Sequence, residues 1–230
     1  MSMRAQPDLS GPGDETEGGA TDQVPDRRRF VRNLALGGAA VAAGAEAVPA
    51  LAQSATAQTS TTVAGPPTIP AGDVTLVNFA LGLELAASQL YADMIATGKL
   101  TSSALGNARS YESHHNDHAA ALTTLNADAA VFTPNAKLLS QVGGQIAAAA
   151  DQAALMQVAF NLESAMAATH QYLMGTVQSW QTATTEAELE PVEAQHAVVW
   201  GELLDLPTGQ WMPSFQSTTG FYDPATYAAS

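Results

Sequence analysis

Four glutamates and two histidines recur along the chain in two similar groups. Each group has a lone glutamate followed by a Glu-x-x-His pair, and the six residues are Glu84, Glu112, His115, Glu163, Glu193 and His196. Residues three apart lie on one face of a helix, so each pair can present a carboxylate oxygen and an imidazole nitrogen to the same small volume. Such a set is the ligand set of a two-metal carboxylate site inside a four-helix bundle.

The charge of this set also favours bound metal. Four carboxylates that converge in a core repel one another, and two divalent cations would cancel their charge. Oxygen ligands with two imidazoles suit iron or manganese, whereas zinc usually takes fewer, tetrahedral ligands. The chain has no cysteine, which excludes thiolate zinc sites, iron–sulfur clusters and disulfides. We therefore predict two iron ions, with manganese as the alternative.

The spacing of the ligands predicts the elements that carry them. Glu84 precedes Glu112 by 28 residues and Glu163 precedes Glu193 by 30, which fits two helical hairpins. We predict an all-α four-helix bundle with helices over residues 73–97, 101–126, 145–181 and 185–204, the third of them interrupted near residue 151. Asp73 is the predicted N-cap of the first helix and Gly98 its stop. Glu186 is predicted to lie near the positive end of the last helix.

Two stretches of the predicted bundle contain helix-breaking residues. Residues 127–146 contain Pro134, Gly143 and Gly144 and predict a long irregular crossover between the hairpins. Pro191 lies two residues before Glu193 and leaves two alternatives open. Either the last helix runs through the proline, and Glu193 and His196 both reach the centre, or the helix begins there and Glu193 is only a dipole-favoured acid near its N-terminus.

The N-terminal region has the pattern of an export signal. Residues 26–32 carry consecutive arginines and precede a Gly/Ala-rich apolar stretch that ends at Ala52, which resembles a twin-arginine signal. We predict cleavage after Ala52, which defines residues 1–52 as the signal peptide. The expected location is then periplasmic, cell-wall-associated or secreted. The alternative is an uncleaved anchor, but the stretch is short and interrupted by Glu46.

The remainder of the chain divides into three predicted parts. Residues 53–71 form a Ser/Thr/Pro-rich linker, residues 72–206 the bundle, and residues 207–230 an aromatic and Pro-rich tail. We expect the tail to pack across the bundle, with a homo-oligomer interface or a substrate contact as the alternatives. No other apolar run predicts a stable membrane span after cleavage. Three fixed cations against 15 carboxylates in residues 53–230 argue against nucleic acid as a partner.

The residues around the six ligands resemble the ferritin-like superfamily, in the exported bacterial branch that includes desiccation-related proteins. The likeness is carried by residues 77–84, 111–122, 162–163 and 192–203. The resemblance implies a di-iron or di-manganese centre. In that centre Glu112 and Glu193 would bridge the metals, and Glu84, Glu163, His115 and His196 would each bind one.

The resemblance leaves more than one function open. One is a di-metal oxidoreductase, of ferroxidase or peroxidase/catalase-like type, whose partners would be metal ions and O₂ or peroxide. Another is a non-catalytic helical bundle that serves desiccation or envelope stress. Three residues near the ligands have open roles. His118 and His170 are outer partners, additional ligands or surface residues, and Tyr91 is a core residue or a donor of an electron or a hydrogen bond near the metals. We predict that His114 is solvated and that Trp200 packs in the core.

Overall fold

The computed structural model describes residues 69–228, and the predicted signal peptide and most of the predicted linker lie outside the described residues. The described part is helical and contains no strand. Its helices are α1 (Ala71–Ala96), α2 (Ser102–Asn126), α3 (Ala136–Ala148), α4 (Gln152–Thr176), α5 (Trp180–Leu203) and the short α6 (Thr208–Trp211). The predicted all-α class is confirmed.

The four long helices form two hairpins. Helix α1 packs most extensively against α2, and α4 packs most extensively against α5. Helix α1 ends where predicted, because Gly98 adopts a left-handed φ of 67° that terminates the helix. The predicted four-helix bundle of two hairpins joined by a long crossover is therefore confirmed.

The crossover is more regular than the sequence indicates. The helix α3 forms across Gly143 and Gly144 and follows its N-cap Asn135, whose side chain accepts a hydrogen bond from the Leu138 amide. Leu138, Val142 and Ile146 recur every four residues and are buried. An apolar stripe of this kind can hold a helix against the bundle despite two glycines.

Asp73 is not the N-cap of α1. Helix α1 begins two residues earlier than expected, after Pro70, and Asp73 is buried in its first turn. Its carboxylate accepts hydrogen bonds from the backbone amides of Gln178 at 2.9 Å and Ser179 at 2.7 Å. Asp73 therefore ties the start of α1 to the turn between α4 and α5.

Among the described residues, α1 alone is long and apolar enough to cross a membrane. That property is weak evidence for a span, because 61% of its most apolar stretch is buried inside the bundle. The helix also carries the fully buried Glu84 in its middle. Both features are typical of the central helix of a bundle.

The aromatic tail contacts the bundle at several points. Phe221 stacks on Tyr172 of α4 with ring centroids 4.3 Å apart, and Tyr222 is buried and donates its backbone amide to Thr169 Oγ1 at 2.9 Å. Asn135 donates to the carbonyl of Tyr227 at 2.7 Å. The tail thus closes over α4 and the start of α3, as expected.

The contact between Gly201 and Trp211 gives a stability prediction. A Cβ at Gly201 would lie 2.3 Å from Trp211 Cβ, so Gly201→Ala should displace the tryptophan and destabilise the fold by about 1–3 kcal/mol. Gly175→Ala is the matched control, since a Cβ there meets nothing within 4 Å. Urea unfolding followed by tryptophan fluorescence measures both. Equal stability of the two variants would contradict the close packing of Trp211.

Candidate metal centre

The bundle core contains two overlapping groups of side chains that could each hold a metal ion. The first group is Glu84, His115, His118 and Glu193, and the second is His115, Glu163, Glu193 and His196. Within each group, one ligand atom from every residue lies within 4.8 Å of the others, and all of these residues are buried. His115 and Glu193 belong to both groups, so the two groups form one continuous cluster.

Each of the four long helices contributes to the cluster. Glu84 lies on the buried face of α1 and Glu163 on that of α4. His115 and His118 are three residues apart on α2, and Glu193 and His196 are three apart on α5. The spacing places both members of each pair on the inward face of their helix.

Pro191 does not interrupt the last helix. Helix α5 begins at Trp180 and runs through Pro191 to Leu203. Glu193 and His196 are consequently both in mid-helix and both buried. Of the two alternatives that the proline left open, the structure adopts the one in which both side chains reach the centre.

In this structure the histidines act as counter-charges to the glutamates. His115 Nδ1 lies 2.7 Å from Glu84 Oε2, and its Nε2 lies 3.3 Å from Glu163 Oε1. His196 Nδ1 lies between the carboxylates of Glu163, at 3.2 Å, and Glu193, at 3.3 Å. Every core glutamate of the cluster therefore has an imidazole within ion-pair distance.

These contacts shift the pKa values in opposite directions. Burial raises the pKa of Glu193, but the charge of His115 and the contacts with His118 and His196 outweigh it and hold that pKa well below its ordinary value. Burial lowers the pKa of His118, but Glu193 and Glu84 raise it to about 9. Glu193 is thus ionised at neutral pH and paired with a protonated His118, and a bound cation would have to displace that proton.

Several ligand atoms in the cluster are buried without a hydrogen bond. Within residues 69–228, neither carboxylate oxygen of Glu193 has a hydrogen-bond partner, and the same holds for His118 Nδ1. His118 Nδ1 lies 2.7 Å from Glu193 Oε1 but is not aligned for a hydrogen bond. Buried carboxylate oxygens without hydrogen bonds are costly even beside an imidazole, and a bound cation would satisfy them. The donor set of oxygen and nitrogen fits iron or manganese.

The structure brings five of the six predicted ligands together and leaves out Glu112. Glu112 is partly exposed and belongs to neither group. The buried face of α2 includes Tyr111, His115, His118 and Leu122. Glu112 and His118 are each three residues from His115, one before it and one after it. They therefore lie on opposite sides of His115 around the helix axis, and helix packing turns the side of His118 inward. The bridging role that the resemblance implies for Glu112 stays a prediction, and His118 joins Glu84, His115 and Glu193 in the first group.

Two further buried residues extend the cluster: His170 on α4 contacts Glu84, and Glu186 on α5 contacts His170. His170 Nε2 lies 2.8 Å from Glu84 Oε1, and His170 Nδ1 lies 2.6 Å from Glu186 Oε2. The sequence left His170 open and assigned Glu186 to the positive end of a helix. That assignment was wrong because α5 begins at Trp180, five residues earlier than predicted, which places Glu186 inside the bundle.

An aromatic layer covers one side of the centre. The Tyr91 hydroxyl donates a hydrogen bond to Glu163 Oε1 and accepts one from Trp200 Nε1 at 2.9 Å. Burial and the charge of Glu163 raise the pKa of Tyr91 well above its ordinary value, so its hydroxyl stays protonated. Trp200 is fully buried, as expected for a core residue. Tyr91 therefore combines the two roles that the sequence treated as alternatives, core packing and hydrogen bonding beside the ligands.

His114 lies at the surface edge of the cluster. It is exposed, as expected, but its Nδ1 also lies 2.9 Å from Nε2 of the buried His196. Partial burial and the neighbouring His196 lower the pKa of His114. A neutral His114 can accept a hydrogen bond from His196 Nε2, which would leave His196 Nδ1 free to face Glu163 and Glu193.

Comparison with known proteins agrees with this arrangement. The family model of the ferritin-like domain matches residues 72–206, which contain all four long helices and every residue of the cluster. Neither the comparison with curated proteins nor the comparison with solved structures finds a match.

Proposed function

Because the chain belongs to the ferritin-like domain family, we propose that its buried glutamates and histidines hold two iron or manganese ions and support redox chemistry. The residues that would hold the ions are Glu84, His115, His118, Glu163, Glu193 and His196. The bound metals would supply one-electron redox steps and binding positions for O₂ or peroxide. The activity we propose is oxidation of Fe(II), or reduction of O₂ or peroxide, under oxidative or envelope stress.

The observation that carries the proposal is the position of Glu193. It belongs to both groups of ligands, and both of its carboxylate oxygens are buried without hydrogen bonds. One carboxylate shared by two groups is the arrangement that a pair of neighbouring metal ions needs. The protein's own contribution is to hold the ligands in place and to exclude water, which the burial of all six supports.

Elemental analysis of the protein, purified without added metal, tests the centre. We expect about two iron or manganese atoms per chain. Incubation with Fe(II) in air, followed by absorbance of the ferric product, then measures the oxidation. Chains that bind no iron or manganese under either condition would contradict the proposal.

A non-catalytic stress bundle is the second candidate function. It is favoured by the pairing of the core glutamates with histidines, because the bundle can balance those charges without a cation. The two functions predict different effects of a metal chelator on the stability of the bundle. A bundle that keeps its unfolding temperature after treatment with a chelator, and shows no Fe(II) oxidation, would support the second. Loss of stability on chelation together with Fe(II) oxidation by the metal-loaded protein would support the first.

We also propose that the protein is exported through the twin-arginine pathway. The support is the sequence of residues 26–52, and the replacement Arg27→Lys with Arg28→Lys tests it. We expect the double variant to accumulate uncleaved in the cytoplasm, while wild type and the control Arg32→Lys reach the extracytoplasmic fraction and lose residues 1–52. Cell fractionation with mass spectrometry of the N-terminus measures this. Export of the double variant would contradict the proposal.

A further inference from the structure

Glu84 is held from two sides by different sets of residues. Its Oε2 faces the ligand groups, 2.7 Å from His115 Nδ1 and 3.6 Å from His118 Nδ1. Its Oε1 faces away from them and lies 2.8 Å from His170 Nε2. His170 in turn contacts Glu186, and all three side chains of the chain Glu84–His170–Glu186 are fully buried.

We propose that His170 and Glu186 are positioning residues, which fix the Glu84 carboxylate so that Oε2 is directed at the metal ions. The inference rests on the proposed function, since it assigns these two residues a task at the same centre. It extends the centre beyond its ligands to a second layer built from α4 and α5.

The geometry of the imidazole explains why a histidine suits this place. A protonated imidazole donates from both of its nitrogens, which lie on opposite sides of a rigid ring. His170 thus contacts one carboxylate on each side, at 2.8 Å and 2.6 Å. With Oε1 engaged in this way, the Glu84 carboxylate cannot rotate freely, and the orientation of Oε2 is fixed.

Stability alone does not account for the pair. A buried ion pair contributes little net stability compared with apolar side chains of similar size. Within the described residues, Glu186 Oε1 also lacks a hydrogen-bond partner, which adds a cost. A role in orienting Glu84 would explain why His170 and Glu186 are buried in the core despite this cost.

The test compares Glu186→Gln with Glu188→Gln in Co(II) titrations of the full chain, followed by visible absorption. Glu186→Gln keeps the shape of the side chain and removes its charge, and Glu188 is an exposed residue of the same helix. We expect Glu186→Gln to weaken Co(II) binding by about 10- to 100-fold and to alter the Co(II) spectrum, as outer partners of metal ligands typically do. Glu188→Gln should match wild type in both measurements.

Two further measurements separate positioning from a purely structural role. Thermal unfolding without metal should show Glu186→Gln folded, with an unchanged or higher midpoint. In a Glu84→Gln background, Glu186→Gln should cause no additional loss of Co(II) affinity, because its effect passes through Glu84. Co(II) affinity and spectrum equal to wild type in Glu186→Gln would overturn the inference while leaving the proposed centre intact. A wild-type protein that binds no Co(II) would overturn both.

Discussion

Glu193→Gln should remove both metal ions from the protein. Glu193 is the carboxylate that both ligand groups contain, and both of its oxygens are buried without hydrogen bonds within the described residues. Glutamine keeps the size of the side chain but replaces one oxygen with an NH₂ group, which repels a cation, and removes the negative charge. We expect a loss of affinity larger than the roughly 10- to 100-fold typical of outer partners. Elemental analysis and Co(II) titration measure it.

The control for this variant is Glu202→Gln on the same helix. Glu202 is partly exposed and belongs to neither group, so its replacement should leave the metal content unchanged. Circular dichroism without metal verifies that Glu193→Gln is folded. His115, which shares both groups with Glu193, can then lose its proton, so the core need not retain an unpaired charge. A folded variant that keeps about two metal ions per chain would contradict the shared role of Glu193.

The ligands that the sequence predicted correctly as neighbours have one property in common. Glu84, Glu163 and Glu193 have apolar residues at helical spacing around them, so the helix period alone turns them inward. His196 then follows from its distance of three residues from Glu193. The apolar character of flanking residues and their helical spacing are local properties, which a sequence displays directly.

Elements that depend on the exact start or rotation of a helix were harder to predict. A helix that begins at Thr185 places Glu186 near its N-terminus, whereas α5 begins at Trp180 and therefore has more than one additional turn before Glu186. The crossover helix α3 was missed because Gly143 and Gly144 lower its intrinsic propensity, while its burial against α1 stabilises it. Local signals exist for both helices: the apolar spacing of Leu138, Val142 and Ile146 indicates α3, and the N-cap Ser179 marks the start of α5.

The choice between Glu112 and His118 leads to the second large prediction. If His118 is a ligand, His118→Gln should lose the ion of the group that contains Glu84 and retain about one metal per chain. Glu112→Gln should retain about two, because Glu112 is partly exposed and outside both groups. Elemental analysis of the two variants side by side measures the difference, with Fe(II) oxidation as a second readout. The reverse result would assign the bridge to Glu112, as the family resemblance implies.

Whether His118 or Glu112 is the sixth ligand also determines the net charge of the metal centre. With His118 in place of Glu112, the six ligands contain three carboxylates, so two divalent ions would leave one net positive charge instead of none. An excess positive charge in a buried site opposes the loss of further electrons, and the divalent state of the metals would be favoured over the trivalent state. We therefore expect His118→Glu, where it folds and binds two metals, to oxidise Fe(II) to a more persistent ferric state than wild type. Identical reduction potentials of wild type and His118→Glu would show that the number of carboxylate ligands does not set the balance between Fe(II) and Fe(III).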